Sequence, residues 1–308
     1  MAVIGIGQCS LDYLALAEGY PEIDTKKELL EWHEQCGGPV ATALVALSRL
    51  GVGCRFYGVT GDDEAGERIR LSLIDEGVDA RGLIKREGSS SQKAFIFIEK
   101  KTAQRTIFWK RPSGEALRPE DLGVDFLEGC GFLLLDGLMS EVSLYAAEKA
   151  RSLKIPVMLD AGSVRPGMVG TARLSDYLVA SREFAKGMGW DPVPDVLRRQ
   201  KDKLGVNCLT ITLGRQGSIT VCQDEVFEVP AFKVDAVDTT GAGDVFHGGY
   251  IYGLLKGWQI RDTLKFASAM AALKCTKIGG RAGIPRLHEV KRFFEERSGE
   301  RLPDSPGA

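Results

Sequence analysis

The residues with the most chemical meaning are Asp238-Thr239-Thr240-Gly241-Ala242-Gly243-Asp244, a glycine-rich turn that runs straight into an apolar helical pattern of Val245, Phe246, Ile251, Leu254 and Leu255. A turn of this kind opening a helix directs several unpaired backbone N–H groups and the positive end of the helix dipole at one spot. That suits an anion, and phosphate above all. Asp244 stands inside this positive field, so its carboxylate can lie near both a transferring phosphoryl group and the hydroxyl that attacks it, where a general base belongs. Taken alone, the glycines need be no more than a tight turn and Asp244 no more than an acid favouring a helix N-terminus. Both readings stand open on this run alone.

The elements that must position these residues are legible as short apolar runs separated by helical patterns. Val3–Gly7, Arg55–Thr60, Phe132–Asp136, Val157–Asp160, Tyr177–Ala180 and Cys208–Leu213 are apolar on both faces, as buried strands of a mainly parallel sheet must be. Helical patterns occupy Glu64–Glu76, Glu141–Ser152, Asp195–Lys203, Ala242–Lys256, Ile260–Lys274 and Leu287–Glu296. The alternation predicts one doubly wound α/β domain over residues 1–308. Two stretches interrupt it: Lys93–Glu99 and Gln104–Trp109 flank a polar turn, and Leu11–Trp32 is polar and extended. Together, about 11–33 and 92–111, they predict a small accessory sheet acting as a lid. Residues 298–308, rich in Pro, Gly and charge, are expected to fray.

Composition narrows the function. The 40 basic and 42 acidic residues are intermixed and give a formal charge of −2, so no broad basic field exists for a nucleic acid. The seven cysteines are scattered, odd in number and never spaced as C-x-x-C, which suggests neither a disulfide framework nor a zinc knuckle and fits a reducing cytoplasm. No signal-peptide pattern and no membrane-length apolar run occurs, so neither secretion nor membrane insertion is expected. Phosphate binding cannot be given to a P-loop, since no G-x-x-x-x-G-K-[ST] run is present, and the H-R-D and D-F-G elements of protein kinases are missing too. Gly5-Ile6-Gly7 lacks the third glycine of a dinucleotide fingerprint and reads better as a first-strand turn.

The run Asp238–Asp244 with Val245-Phe246-His247-Gly248-Gly249 resembles the C-terminal motif of the PfkB, or ribokinase-like, carbohydrate kinases. Three further elements are similar to that family's: Gly37-Gly38-Pro39-Val40-Ala41-Thr42-Ala43 running into Leu50-Gly51, Gly61-Asp62-Asp63-Glu64-Ala65-Gly66, and the T-x-G-x-x-G loop Thr212-Leu213-Gly214-Arg215-Gln216-Gly217. The resemblance implies a ribokinase-like fold with a β-lid and transfer of phosphate from Mg-ATP to a hydroxyl of a sugar or sugar phosphate. Asp244 would be the base, with Gly241, Ala242 and Gly243 holding the developing charge. Asp12, Gly37, Gly38 and Thr42 would meet the acceptor, and Thr212, Gly214, Gly217 and Gly280 the nucleotide. It also implies that Gly279–Gly283 lies near the adenine or a bound monovalent cation such as K⁺, with Asp238 and Thr240 as further contacts of that cation, and a homodimer formed through the lid.

The sequence departs from the family pattern in places. The N-x-x-E element that helps place magnesium aligns with Ala180-Ser181-Arg182-Glu183, as in ketohexokinase-like members, leaving Glu183 to act on Mg²⁺ through water. Thr42 replaces an asparagine common in the substrate motif. Arg105, on the lid hairpin, is where members place a basic residue on the substrate or a phosphate, and Trp109, of the same side-chain parity, could cover a sugar ring. Val234–Gly248 and Ala271–Pro285 look most like the sulfofructose kinase branch, yet the positions that branch gives to its sulfonate are Lys26, Trp109 and Leu138 here, and only Lys26 is cationic. A nucleoside kinase and a catalytically silent sugar- or nucleotide-binding relative are the alternatives. Retention of Asp244 argues against the second.

Overall fold

The computed structural model describes residues 1–303. The chain opens with β1 (Ala2–Ile6), leaves to form β2 (Ser10–Ala17) and β3 (Glu31–Gly37), and returns through α1 (Pro39–Arg49), β4 (Cys54–Gly61), α2 (Glu64–Asp75) and β5 (Val78–Arg86). After β6 (Lys93–Glu99) and β7 (Gln104–Lys110) it alternates through β8 (Cys130–Leu135), α3 (Ser140–Ser152), β9 (Val157–Ala161), α4 (Met168–Ala172), β10 (Tyr177–Ser181), α5 (Arg182–Gly187), α6 (Pro194–Leu204) and β11 (Cys208–Thr212). The hairpin β12 (Ser218–Cys222) and β13 (Glu225–Val229) precedes α7 (Ala242–Leu255), α8 (Ile260–Lys274) and α9 (Leu287–Ser298).

The main sheet has nine strands in the order β13-β12-β11-β10-β9-β8-β1-β4-β5, paired in parallel except at one end, where β12 runs antiparallel to both β11 and β13. Neighbouring residues of each central strand feed opposite layers. Val3, Phe132, Leu134 and Met158 pack with α1, α2, α7, α8 and α9, whereas Ile4, Leu133, Leu135 and Leu159 pack with the α3–α6 side. This two-sided burial is why those strands read as unbroken apolar runs. Among the described residues no helix is long and apolar enough to cross a membrane.

The second sheet, order β3-β2-β6-β7, is the lid. Register gives it two unlike faces, since cross-strand partners share a face. One face carries the rows Gln35–Asp12–Ala94–Trp109, His33–Leu14–Ile96–Ile107 and Glu31–Leu16–Ile98–Arg105. Here Leu14, Leu16, Ala94, Ile96 and Ile98 are buried, with the partly buried Ile278 packed against them. The other face carries Tyr13, Trp32, Phe95, Phe97 and Phe108, with Trp32 on Tyr13 and Phe95, and Tyr20 on Phe97.

Two sequence expectations are corrected. Cys208 and Cys222 face one another across β11 and β12 and form a disulfide, because hairpin register pairs them although their spacing signals nothing. Of the segment expected to fray, residues 304–308 lie outside the described residues. The part before them is anchored: Leu302 is buried and Glu300 pairs with Lys265 at 2.5 Å.

Candidate active site

β1 is the strand from which the sheet winds outward in both directions, with β4 on one side and β8 on the other. In open α/β sheets the crevice at the carboxyl ends of such strands is where ligands bind. Asp136 stands there, immediately after β8, and receives N–H bonds from Gln8 at 2.7 Å and Leu138 at 3.0 Å. A side chain at Gly7 would lie 2.3 Å from Asp136 Oδ2, so the glycine is what admits this carboxylate. Burial pushes Asp136 up to about 7, against the two backbone N–H bonds. A cavity of about 190 Å³ opens beside it, lined by Gly7, Gln8, Gln92, Arg111 and Leu138 among others.

The turn before α7 arrives next to this crevice. Gly241 has φ 75°, and a Cβ there would lie 2.8 Å from the Gly280 carbonyl oxygen, so the two glycine-bearing loops touch backbone to backbone. No side chain caps α7, and the Gly243 and Asp244 N–H groups make no hydrogen bond among the described residues. They are the free donors at the positive end of a 14-residue helix. Asp244, in that first turn, is half-buried. Burial raises its pKa well above the ordinary carboxylate range and the charge of Asp160 adds to this, while His247, Arg105 and Lys274 oppose it. His247 lies one turn further along α7. Its Nδ1 is 2.6 Å from the Gly243 carbonyl, and its Nε2 faces the Val179 carbonyl at 3.3 Å and Asp160 Oδ1 at 3.5 Å. It thus ties the first turn of α7 to the ends of β9 and β10.

The lid's inner face supplies the other wall. Asp12 accepts from Ser10 Oγ at 2.6 Å, and burial pushes it up to about 6 against that bond and the Arg281 charge. A Cβ at Gly37 would fall 2.0 Å from Asp12 Oδ2, so only glycine leaves room for this carboxylate. Arg281, buried, donates to the Gly37 carbonyl at 3.3 Å and leaves its Nε unpaired. Thr42 is buried in the first turns of α1, its N–H bonded to the Gly38 carbonyl at 2.9 Å. Trp109 shares the Asp12 row, with Arg111 stacked over its ring at 4.8 Å. Arg105 lies two rows away and donates to Thr239 Oγ1 at 3.0 Å, so its guanidinium sits over the 238–244 turn and not over Asp12. Lys26 is exposed in the loop between β2 and β3, at the opposite end of β2 from Asp12, and the structure does not bring it to the others.

Thr212 closes β11, and Gly214 (φ 60°) and Gly217 (φ 90°) shape the loop that follows it. From this loop Arg215 reaches the lid hairpin and donates to the Thr102 carbonyl at 2.9 Å. Glu183 lies exposed in the first turn of α5, beyond the end of β10, and its carboxylate makes no hydrogen bond among the described residues. Asp238 is buried and fully engaged: its Oδ1 receives Thr240 N at 2.8 Å and Thr240 Oγ1 at 2.7 Å, and its Oδ2 receives Gly279 N at 2.7 Å.

The fold is that of the ribokinases. The chain superposes on Thermotoga maritima ribokinase with a TM-score of 0.82 at 25% identity, over 96% of this chain and 99% of the other. It superposes on Arabidopsis thaliana ribokinase complexed with ribose and ATP with a TM-score of 0.82 at 22% identity, over 96% and 98%. Among relatives it is 28% identical to fructokinase-1 of Zea mays, over 96% of this chain and 98% of that one. It is 26% identical to deoxyribokinase of Salmonella typhi, over 96% and 99%. The pfkB family carbohydrate kinase model matches residues 2–287, and the chain belongs to that family; it is a carbohydrate kinase.

Sequence reasoning missed Asp136, Asp160, His247, Lys274, Arg111 and Arg281. Asp136 and Asp160 did carry a signal, since each is an acid ending an apolar strand run at the face where such sheets bind ligands.

Proposed function

We propose that this kinase uses Mg-ATP to phosphorylate a hydroxyl of a ketose or ketose phosphate, with Asp244 as the general base. The observation that carries this is one juxtaposition: a carboxylate held toward its neutral form stands in the same helical turn as the free Gly243 and Asp244 N–H donors. An acceptor hydroxyl near Asp244 gives up its proton to the carboxylate as its oxygen meets phosphorus. The free donors of Gly243 and Asp244 and the Arg105 guanidinium receive the charge on the transferred group. Asp12 and the backbone at Gly37 and Gly38 orient the acceptor beneath Trp109. The Thr212–Gly217 loop and Gly280 hold the nucleotide. Magnesium fits this arrangement, because Glu183 is an exposed, unpaired oxygen donor that would hold it through water, and bound Mg²⁺ supplies charge neutralisation on the phosphates. The curated relatives named fructokinase support a ketose acceptor.

Screening ketohexoses, their phosphates, pentoses and nucleosides for ADP release tests the reading. The ketose class is expected to give the highest kcat/KM, and a nucleoside optimum would overturn it. Because Arg105 lies over the phosphate turn, Arg105→Ala is expected to lower kcat by roughly tenfold or more, the worth of one charge-assisted hydrogen bond. The KM of the acceptor should move less; a change confined to it would place Arg105 on the sugar instead. The outer lid face, with Trp32 51% and Phe108 63% exposed, supports pairing of two copies through the lid. A dimer that Phe108→Asp converts to monomer in sedimentation is the expected result.

A further inference from the structure

The family resemblance makes Asp238 and Thr240 contacts of a monovalent cation beside Gly279–Gly283, and Asp238 does not fit that part. Both carboxylate oxygens of Asp238 are already bonded, one of them to the Thr240 hydroxyl itself. The remaining oxygen of Asp238, its backbone carbonyl, receives the Nζ of Lys274 at 2.8 Å. Lys274 is the last residue of α8 and is wholly buried. A cation arriving here would meet an ammonium of like charge on the oxygen it needs.

We propose that the ammonium of Lys274 is the protein's own monovalent cation: it fixes Asp238, and through it the 238–244 turn, so that phosphoryl transfer needs no added potassium. An ammonium and a potassium ion carry the same single charge and both bind carbonyl oxygens, so one can take the other's place. A lysine is almost never wholly buried unless its charge is compensated. The compensation is present. Burial is the largest influence and, with the Arg105 charge, draws the lysine pKa down, while the charges of Asp238, Cys275 and Asp244 hold it against that fall.

The end of α8 also grips this segment by its backbone. The Cys275 carbonyl receives Val237 N at 2.8 Å and Asp238 N at 3.2 Å. Gly283 packs so closely on Lys274 that a Cβ there would lie 2.2 Å from the Lys274 carbonyl oxygen, which holds the backbone below the ammonium in place. Lys274 touches neither reacting atom, so it is a positioning residue. It acts by setting where Gly243 and Asp244 present their donors.

The proposal rests on the kinase reading for its activity readout, so a second readout needs no substrate. Wild-type enzyme is assayed and thermally melted in potassium chloride and in choline chloride at equal ionic strength. The expected result is the same kcat within about twofold and the same Tm in both salts. Lys274→Met removes the charge while keeping an unbranched side chain one atom shorter. That variant should lose roughly tenfold or more in kcat in choline chloride, with the acceptor's KM little changed, and recover part of the loss in potassium chloride. Its Tm should rise in potassium chloride where the wild type's does not. Activation or thermal stabilisation of the wild type by potassium overturns the proposal, and so does a Lys274→Met protein indifferent to potassium. Should Lys274→Met not fold, the wild-type salt comparison decides alone. If no acceptor is turned over, the kinase reading fails while the melting comparison still judges Lys274.

Discussion

Asp244→Asn is expected to lower kcat by roughly 10²–10⁴-fold, the usual worth of a positioned general base, while nucleotide and acceptor affinities stay within a few fold. The amide keeps the shape of the carboxylate and cannot take the acceptor's proton. Residual turnover within about tenfold of wild type would remove Asp244 from the base role. The pH profile offers a second check. Burial and the neighbouring Asp160 hold Asp244 up at about 7, and only its ionised form accepts a proton. Wild-type kcat should therefore climb with pH through neutrality, and the variant should lose that limb. Stability has a sign of its own. A carboxylate whose folded-state pKa is raised stabilises the fold at low pH, and that contribution is lost as pH rises toward about 7. Asp244→Asn escapes this loss, so its Tm relative to wild type should be higher at pH 8 than at pH 5, which separates a missing base from a damaged fold.

What the sequence disclosed and what it hid follow one physical division. Strands buried on both faces must be apolar throughout, so β1, β4, β8, β9, β10 and β11 announced themselves, as did the turn at Asp238–Asp244, whose glycines and acid are consecutive. By contrast β3, Glu-Trp-His-Glu-Gln-Cys-Gly, has an exposed, polar outer half, and nothing in its local pattern separates it from the loop before it. The site's buried charges were hidden for a different reason. Asp136 takes its meaning from Gly7 and Gln8, some 128 positions earlier, and Lys274 takes its meaning from the Asp238 carbonyl, 36 positions away. Such pairs are fixed by crossover topology, which no window along the chain contains. Arg105 shows the mixed case. Strand parity put it with Trp109 on the inner face, but only the register of the whole lid sets it over Thr239 and away from Asp12.

Gly38→Ala should cost roughly 2–5 kcal/mol of stability, combining a strained left-handed backbone with overpacking against atoms that cannot yield. Gly38 has φ 102°, and a Cβ would sit 2.2 Å from the Gln8 carbonyl oxygen and 2.6 Å from Cys9 Cα. Both neighbours are main chain, in the link that leads from β1 into the lid, so relief requires moving a strand and not a side chain. Gln8 also donates its N–H to Asp136, and Gly37 packs on Asp12, so the same displacement reaches both carboxylates of the acceptor wall. The fraction that folds should therefore show a raised acceptor KM, with the nucleotide's much less affected. Gly243→Ala is the matched control. Its Cβ would enter open space with no positive φ to strain, so stability should hold while kcat falls, because that open space lies beside the free donors of the α7 N-terminus. Urea unfolding and acceptor titration of the two variants should separate them cleanly. A Gly38→Ala protein as stable as wild type would mean that the β1-to-lid crossing is looser than these contacts allow, and an unchanged kcat in Gly243→Ala would mean that the phosphoryl group lies elsewhere.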